Sequence, residues 1–218
     1  MWHGRLAHFF LFLSCRKNPR YGRDAHATLA SSHRSRIFRD SMRTVYDASD
    51  VGRTIESLID RIAGSFSSGK TLNIIGIRTR GEVLAERIAR ALRLRGFSQI
   101  GRGVLDITLY RDDLSEIGPK PVVRPTEINI GIDAAPLLLV DDVLFTGRSI
   151  RAALDALSDF GRPSAVRLAV LVDRGGRELP IHADFVGLTR QDVPRDHRVN
   201  VRLSEIDGRD EILVEPKA

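Results

Sequence analysis

The apolar positions of this chain switch between a helical period and short continuous runs. A helical stripe starts after Asp47 or Ser49, either of which can cap the first turn. Its apolar members are Val51, Ile55, Leu58, Ile59 and Ile62. Continuous runs predict strands at residues 72–77, 104–110, 137–140 and 166–172, and shorter ones near 184–187, 199–203 and 211–215. Helices that end near Arg95 and span 149–160 lie between them, so the pattern predicts an α/β domain with a mostly parallel sheet flanked by helices.

The most informative stretch is residues 137–149, which read Leu-Leu-Leu-Val-Asp-Asp-Val-Leu-Phe-Thr-Gly-Arg-Ser. Its apolar start suits a central strand that is covered on both faces. Asp141 and Asp142 then fall at the carboxyl edge of the sheet, where open α/β sheets bind ligands. Residues 146–149 follow at the start of a predicted helix, whose outward N–H groups favour a phosphate.

Carboxylates can hold sugar hydroxyls while such a turn holds a phosphate nearby. The stretch therefore predicts a site for a phosphorylated ribose. The alternative is purely structural: the two acids end a strand, and Gly147 turns the chain.

Another predicted strand, the first in chain order, leads into a turn with phosphate-binding residues at 74–81, Ile-Ile-Gly-Ile-Arg-Thr-Arg-Gly. Two guanidinium groups match the oxygens of a diphosphate, and Gly81 lets the backbone approach closely. A solvated turn is the alternative. Residues 111–135 carry one glycine and three prolines early on and predict a mobile excursion, with Arg111 at its start as a surface residue or a further diphosphate ligand.

Composition narrows the function further. Residues 1–41 hold eight of the 34 basic and two of the 28 acidic side chains, which accounts for the whole net charge of +6. The remainder is neutral, so charge does not point to a nucleic-acid binder. A single cysteine excludes an intrachain disulfide and fits a reducing cytoplasm, and the histidines show no metal-ligand spacing.

The first 41 residues differ from the rest. Residues 6–13 form an apolar run that is similar to a signal-peptide core but too short to span a bilayer. Residues 16–41 are rich in Arg, Ser and His, without an apolar period. We expect a domain at 42–218 with Met42 as the true start; a flexible tail or a targeting signal are the alternatives for 1–41.

The stretch 137–149 resembles the 5-phosphoribosyl-1-diphosphate (PRPP) signature of type I phosphoribosyltransferases. That resemblance implies their fold, with a small hood and a flexible active-site loop. It implies that Asp141 and Asp142 bind the ribose hydroxyls and, with Arg80, form the catalytic group. It also implies Mg²⁺ bound mainly through PRPP, and no metal site made by the protein alone. The implied 5-phosphate loop is Val143, Leu144, Phe145, Thr146, Gly147, Arg148 and Ser149, and the implied diphosphate ligands are Arg78, Thr79, Arg80, Gly81 and Arg111.

Residues 172–181, Val-Asp-Arg-Gly-Gly-Arg-Glu-Leu-Pro-Ile, resemble one subfamily, PyrR, the bifunctional pyrimidine operon regulator and uracil phosphoribosyltransferase. The resemblance covers about residues 45–215. It implies a pentosyl-transferring enzyme that makes UMP and diphosphate from uracil and PRPP. It also implies that Val172, Asp173 and Arg174 frame the uracil ring. A cytoplasmic homodimer or higher homo-oligomer without a membrane partner is expected.

The chain departs from that subfamily at three places. It has Gly176 where a histidine is usual, and Gly187-Leu188-Thr189 where Gly-Lys-Asn is usual. Its first helix carries Glu56 and Asp60, acids that would repel RNA phosphates. These acids speak against RNA binding. Two alternatives to uracil transfer are nevertheless open: a UMP- or UTP-sensing RNA-binding attenuator with little catalysis, and a transferase for another base such as a purine.

Overall fold

The computed structural model describes residues 46–112 and 123–217. The predictions for the segment 1–41, and those for the middle of the excursion at 113–122, lie outside these residues. No helix in the described part is long and apolar enough to cross a membrane.

The described chain alternates strands and helices as predicted. In chain order the elements are α1 (Ala48–Ser65), β1 (Leu72–Ile77), α2 (Arg80–Leu94), β2 (Ile100–Leu105), β3 (Pro136–Leu144), α3 (Arg148–Leu157), β4 (Ala165–Asp173), β5 (Phe185–Thr189), β6 (His197–Arg202), α4 (Ser204–Asp207) and β7 (Glu211–Pro216). Asp47 caps α1, since its carboxylate accepts a hydrogen bond from the Asp50 N–H.

Five parallel strands form the central sheet in the order β2-β1-β3-β4-β5, which confirms the predicted fold class. Leu138 and Val140 of β3 pack on the face that α1 and α2 cover. Leu137 and Leu139 pack on the opposite face, against α3. All four are at most 1% exposed, which is why this strand reads as a continuous apolar run.

The chain leaves β1 toward one edge of the sheet and β3 toward the other. The helix after β1 leads to β2, whereas the helix after β3 leads to β4 on the opposite side. The carboxyl ends of β1 and β3 therefore border the point at which the strand order reverses. A crevice opens at such a point in doubly wound sheets, and the two predicted phosphate-binding turns both lie there.

Two strands end elsewhere than the sequence predicts. The strand expected at 104–110 spans Ile100–Leu105 and is followed by a 3-10 turn at Thr108–Tyr110. The carboxylate of Asp106 accepts hydrogen bonds from the N–H groups of Thr108 and Arg124, which bends the chain out of the sheet. The strand expected to end at Val140 continues to Leu144, because β4 pairs with it that far.

A small second layer lies beyond the sheet and corresponds to the predicted hood. Its strands β6 and β7 are antiparallel and flank the short helix α4. Arginines of α2 connect it to the main sheet: Arg87 pairs with Glu205 and Asp210, and Arg80 pairs with Asp207.

The start of α2 packs on the backbone of β3 through a glycine. A Cβ atom at Gly81 would lie 2.5 Å from the Val140 carbonyl oxygen and 3.1 Å from the Cα atom of Asp141. Any side chain here would push the diphosphate turn away from the carboxylates.

We expect Gly81→Ala to lower the free energy of unfolding by about 1–3 kcal/mol, because the methyl group overpacks a rigid backbone contact. Gly52→Ala is the matched control, since Gly52 lies in α1 with open space around it. This control should raise the free energy by about 0.5–1 kcal/mol. Urea unfolding of both variants checks this, and an equal effect of the two would contradict the packing argument.

Candidate active site

The two carboxylates lie where β3 extends beyond the end of its neighbour β1. The pairing of these strands ends at Gly76 opposite Val140, while the pairing of β3 with β4 continues to Leu144. Asp141 is only 7% exposed. The N–H of Asp142 donates to Asp141 Oδ1 at 2.9 Å, and the N–H of Val143 donates to Asp142 Oδ1 at 2.9 Å. Local backbone bonds thus orient both side chains.

Burial raises the pKa of Asp141 well above its usual range, and the adjacent charge of Asp142 raises it further, against a smaller lowering by Arg111. Burial also raises the pKa of Asp142, an effect that the positive charge of Arg80 opposes. A buried acid beside a half-buried one makes a pair of poorly solvated acceptors. They suit a ligand that brings hydroxyl donors.

A cavity of about 370 Å³ opens above the carboxylates. Both aspartates line it, together with Arg78 and Thr79 from the turn after β1 and with Arg111. Asp106, Arg124 and Ser149 also border it. The structure therefore brings residues from the ends of β1, β2 and β3 to one space.

A second cavity of about 210 Å³ is formed by residues 143–150 and by Arg111, which borders both spaces. Gly147 precedes α3 in the left-handed region, at φ 93°, and so turns the chain into the helix. The predicted 5-phosphate loop therefore lines one cavity along its whole length. Thr146 and Ser149 add hydroxyls to the backbone N–H groups of this turn.

The side chain of Arg148 has acidic partners at the rim. Its guanidinium lies 2.6 Å from Asp112 and 2.7 Å from Glu178, and the side chain is 52% exposed. In this state the turn offers an anion mainly backbone N–H groups and hydroxyls.

The predicted diphosphate ligands divide into two groups. Arg78, Thr79 and Arg111 line the larger cavity. Arg78 donates to the carboxylate of Glu127 at 2.8 Å, and among the described residues its buried Nε has no hydrogen-bond partner. The Arg78–Thr79 peptide bond is cis. Gly81 instead packs on β3, and Arg80 turns toward Asp207 of the hood.

The residues expected to frame uracil lie beside this site and line neither cavity. Val172 is buried in β4, and the Asp173 carboxylate accepts from Arg177 and from the Gly175 N–H. The Arg174 guanidinium stacks 3.9 Å from the centre of the Phe145 ring, and burial lowers its pKa.

The glycine that replaces the usual subfamily histidine has a structural reason. Gly176 lies in the left-handed region at φ 71°, and a Cβ atom there would be 2.5 Å from the ring of Phe145. The aromatic ring of the 5-phosphate loop therefore takes the space that a larger residue would need.

Two residues of the site were missed by sequence reasoning. Asp106 joins both stems of the excursion by its bonds to Thr108 and Arg124. An acid directly after a strand was the signal that could have revealed it. Arg177 donates to the carbonyls of Phe145 at 2.8 Å and Ile181 at 2.9 Å and pairs with Asp173, so it joins the 5-phosphate loop to the segment after β4. No sequence signal indicates these carbonyl partners.

Several known proteins are similar to this chain in sequence or in fold. Residues 41–203 match the family described as the phosphoribosyl transferase domain. The "Bifunctional protein PyrR" of Roseiflexus sp. (strain RS-1) is 52% identical over 76% of this chain and 90% of that protein. The protein of the same name from Mycolicibacterium paratuberculosis is 48% identical over 79% and 92%. The hypoxanthine phosphoribosyltransferase of Trypanosoma cruzi shares the fold at a TM-score of 0.58, with 18% identity over 79% of this chain and 95% of that chain.

The sheet, the match over most of the domain and the crevice above β3 define the class of the protein, a phosphoribosyltransferase of the type I fold. Within that class, the chain is identical to the PyrR relatives at about half of the aligned residues, over nine-tenths of their length. The chain therefore belongs to the PyrR family. The resemblance noted in the sequence is thereby confirmed.

We expect Asp141→Asn to stabilise the ligand-free protein at neutral pH, because it removes a costly buried charge. In the wild type the raised pKa of Asp141 means that stability is lost as pH rises above the ordinary value of 3.8. The gain of the variant should therefore grow with pH in urea unfolding at pH 5 and pH 8. Asp210→Asn is the control of opposite sign: it should destabilise the protein equally at both pH values, because Arg87 lowers the pKa of that acid and it is charged at both. A gain that shrinks with pH would contradict the assignment.

We expect Arg177→Lys to lower the free energy of unfolding by about 2 kcal/mol, because lysine cannot reproduce the fork that serves two loops and a carboxylate. Arg198→Lys is the control, because this exposed arginine of β6 forms an ion pair with Glu215 alone among the described residues. That change should stay within about 0.5 kcal/mol. Equal effects of the two substitutions in urea unfolding would show that Arg177 does not join the loops.

Proposed function

We propose that the protein transfers the phosphoribosyl group of PRPP to uracil in the cytoplasm, which yields UMP and diphosphate. The observation that carries the proposal is that the cavity above Asp141 and Asp142 and the cavity of the 143–149 turn are neighbours that share the lining residues Arg111, Val143 and Ser149. A ribose bound to the carboxylates would place its 5-phosphate in the cavity of the 143–149 turn and its diphosphate in the larger cavity beside Arg78 and Thr79.

In this proposal the carboxylates bind the ribose hydroxyls and place negative charge near C1. Positive charge develops at that carbon as diphosphate leaves, so the pair would stabilise the transition state more than the ground state. The turn at 146–149 would fix the 5-phosphate, and Arg78, Thr79 and Arg111 would hold the leaving group. Catalysis then comes mainly from positioning and charge, with no dedicated strong base.

The residues fit a Mg²⁺ ion that arrives with PRPP. No cluster of three or more His, Cys, Asp or Glu able to hold a metal occurs in the described part of the chain. Mg²⁺ keeps several waters and commonly binds through one or two carboxylates plus substrate phosphates. Asp141 and Asp142 could supply those oxygens, and the ion would neutralise charge on the diphosphate.

Uracil as the acceptor rests on the PyrR resemblance of residues 172–181, where backbone groups of Val172 to Arg174 would frame the ring. The backbone N–H of Arg174 donates to the Leu144 carbonyl, which holds this segment against the 5-phosphate loop. The acceptor base would therefore sit next to the ribose.

RNA-dependent regulation is the second candidate, because the relatives are named bifunctional. The charges of α1 give it little support. Glu56 and Asp60 both pair with Arg95 at 2.9 Å, and Arg53 pairs with Asp50. Arginines engaged by acids offer fewer contacts to RNA phosphates.

The proposal is tested by UMP formation from uracil and PRPP with Mg²⁺, with hypoxanthine and guanine as competing acceptors. We expect that uracil is the only one of these three acceptors to be converted. We also expect Asp142→Asn to lower kcat about 100-fold or more. Asp155→Asn, an exposed acid of α3, is the matched control and should keep wild-type activity. Turnover only with a purine would assign another base, and PRPP binding without turnover would favour the sensor.

A further inference from the structure

Arg80 belongs to the predicted diphosphate group, yet its side chain is held from the hood. Its Nη2 donates to Asp207 Oδ1 at 2.9 Å and its Nε donates to Oδ2 at 3.2 Å. Both oxygens of the carboxylate thus face the Nε–Nη2 edge of the guanidinium. Such a bidentate pair fixes direction as well as distance.

Asp207 is itself held in place by the backbone. Its Oδ2 also accepts the N–H of Leu203 at 2.9 Å, and its side chain is 18% exposed. The hydrogen bond from Arg80 is the main cause that lowers the pKa of this acid, so it is charged at neutral pH. The carboxylate is therefore a rigid, ionised anchor at the end of α4.

The backbone next to Arg80 lies against the strand that carries the two carboxylates of the site. Gly81, the next residue, packs on the backbone of Val140 and Asp141, which sets the start of α2 beside the end of β3. The charge of Arg80 acts on Asp142. Arg80 is thus bound to an acid of the hood, and its residue adjoins the backbone contact with β3 next to Asp142.

A separate contact holds the hood, which makes the role of Asp207 testable. Arg87, two turns farther along α2, pairs with Glu205 at 2.5 Å and with Asp210 at 2.7 Å. Loss of Glu205 would weaken this attachment while Arg80 keeps its own partner. The pair Asp207 and Glu205 therefore distinguishes positioning of Arg80 from simple docking of the hood.

We propose that Asp207 is a positioning residue that holds the Arg80 guanidinium beside Asp142 for phosphoribosyl transfer, so that the hood completes the active site. This inference rests on the proposed function and adds Arg80 to the residues that would act on the diphosphate or on the carboxylate pair. Asp207 does not touch the substrate and acts only through Arg80.

The experiment is a double-mutant cycle of Asp207→Asn and Arg80→Gln, with kcat and KM for PRPP, PRPP affinity by calorimetry and the thermal midpoint of each protein. We expect Asp207→Asn to lower kcat/KM for PRPP about tenfold and to have less than about a twofold effect once Arg80 is replaced. Asp207→Glu should restore most of the loss. Glu205→Gln should stay within about twofold of the wild type, even if its midpoint falls.

Additive effects of the two substitutions would overturn the inference, as would an equal loss in Glu205→Gln. A tighter PRPP complex in Asp207→Asn would also overturn it, because Asp207 would then compete with the ligand for Arg80. If the wild type binds PRPP without transferring it to uracil, the proposed function fails, and the same cycle in PRPP affinity still decides the role of Asp207. A wild type that binds no PRPP refutes both.

Discussion

The site depends on one offset between neighbouring strands. β3 continues past the last residue of β1 that it pairs with, because β4 supports it on the other side. Asp141 and Asp142 stand in this overhang, at the point where the sheet reverses its strand order. Beyond Val140 the backbone of β3 is therefore paired on the β4 side and leaves the β1 side open. The glycine contact of α2 on β3 then brings the second turn within reach of the first.

The overhang has an electrostatic consequence. Two adjacent acids with little solvent are unfavourable, and the rise in the pKa of Asp141 expresses that cost. Two arginines oppose this rise in part: Arg111, from the stem of the excursion, lowers the pKa of Asp141, and Arg80, from α2, lowers that of Asp142. The ligand-free site is therefore incompletely neutralised. It favours a ligand that carries both hydroxyls and a bound cation, which is the chemistry of PRPP with Mg²⁺.

Much of this arrangement could be predicted from the sequence. A continuous apolar run before Asp141 can be satisfied only by a strand that is covered on both faces, and the carboxyl edge follows from it. The destinations of long arginine side chains could not be predicted. Arg80 is bound by Asp207, and Arg148 by Asp112 and Glu178, partners that are distant in sequence and meet only in the fold. The end of β2 was misplaced for a similar reason, since the Asp106 carboxylate takes N–H groups from both stems of the excursion.

The most direct test of this placement of ribose and phosphates is a crystal structure of the protein with PRPP and Mg²⁺. We expect the ribose hydroxyls within hydrogen-bond distance of Asp141 and Asp142, the 5-phosphate against the N–H groups of residues 146–149, and the diphosphate near Arg78 and Thr79. A ribose bound away from the two carboxylates, or a 5-phosphate outside the 146–149 turn, would contradict it.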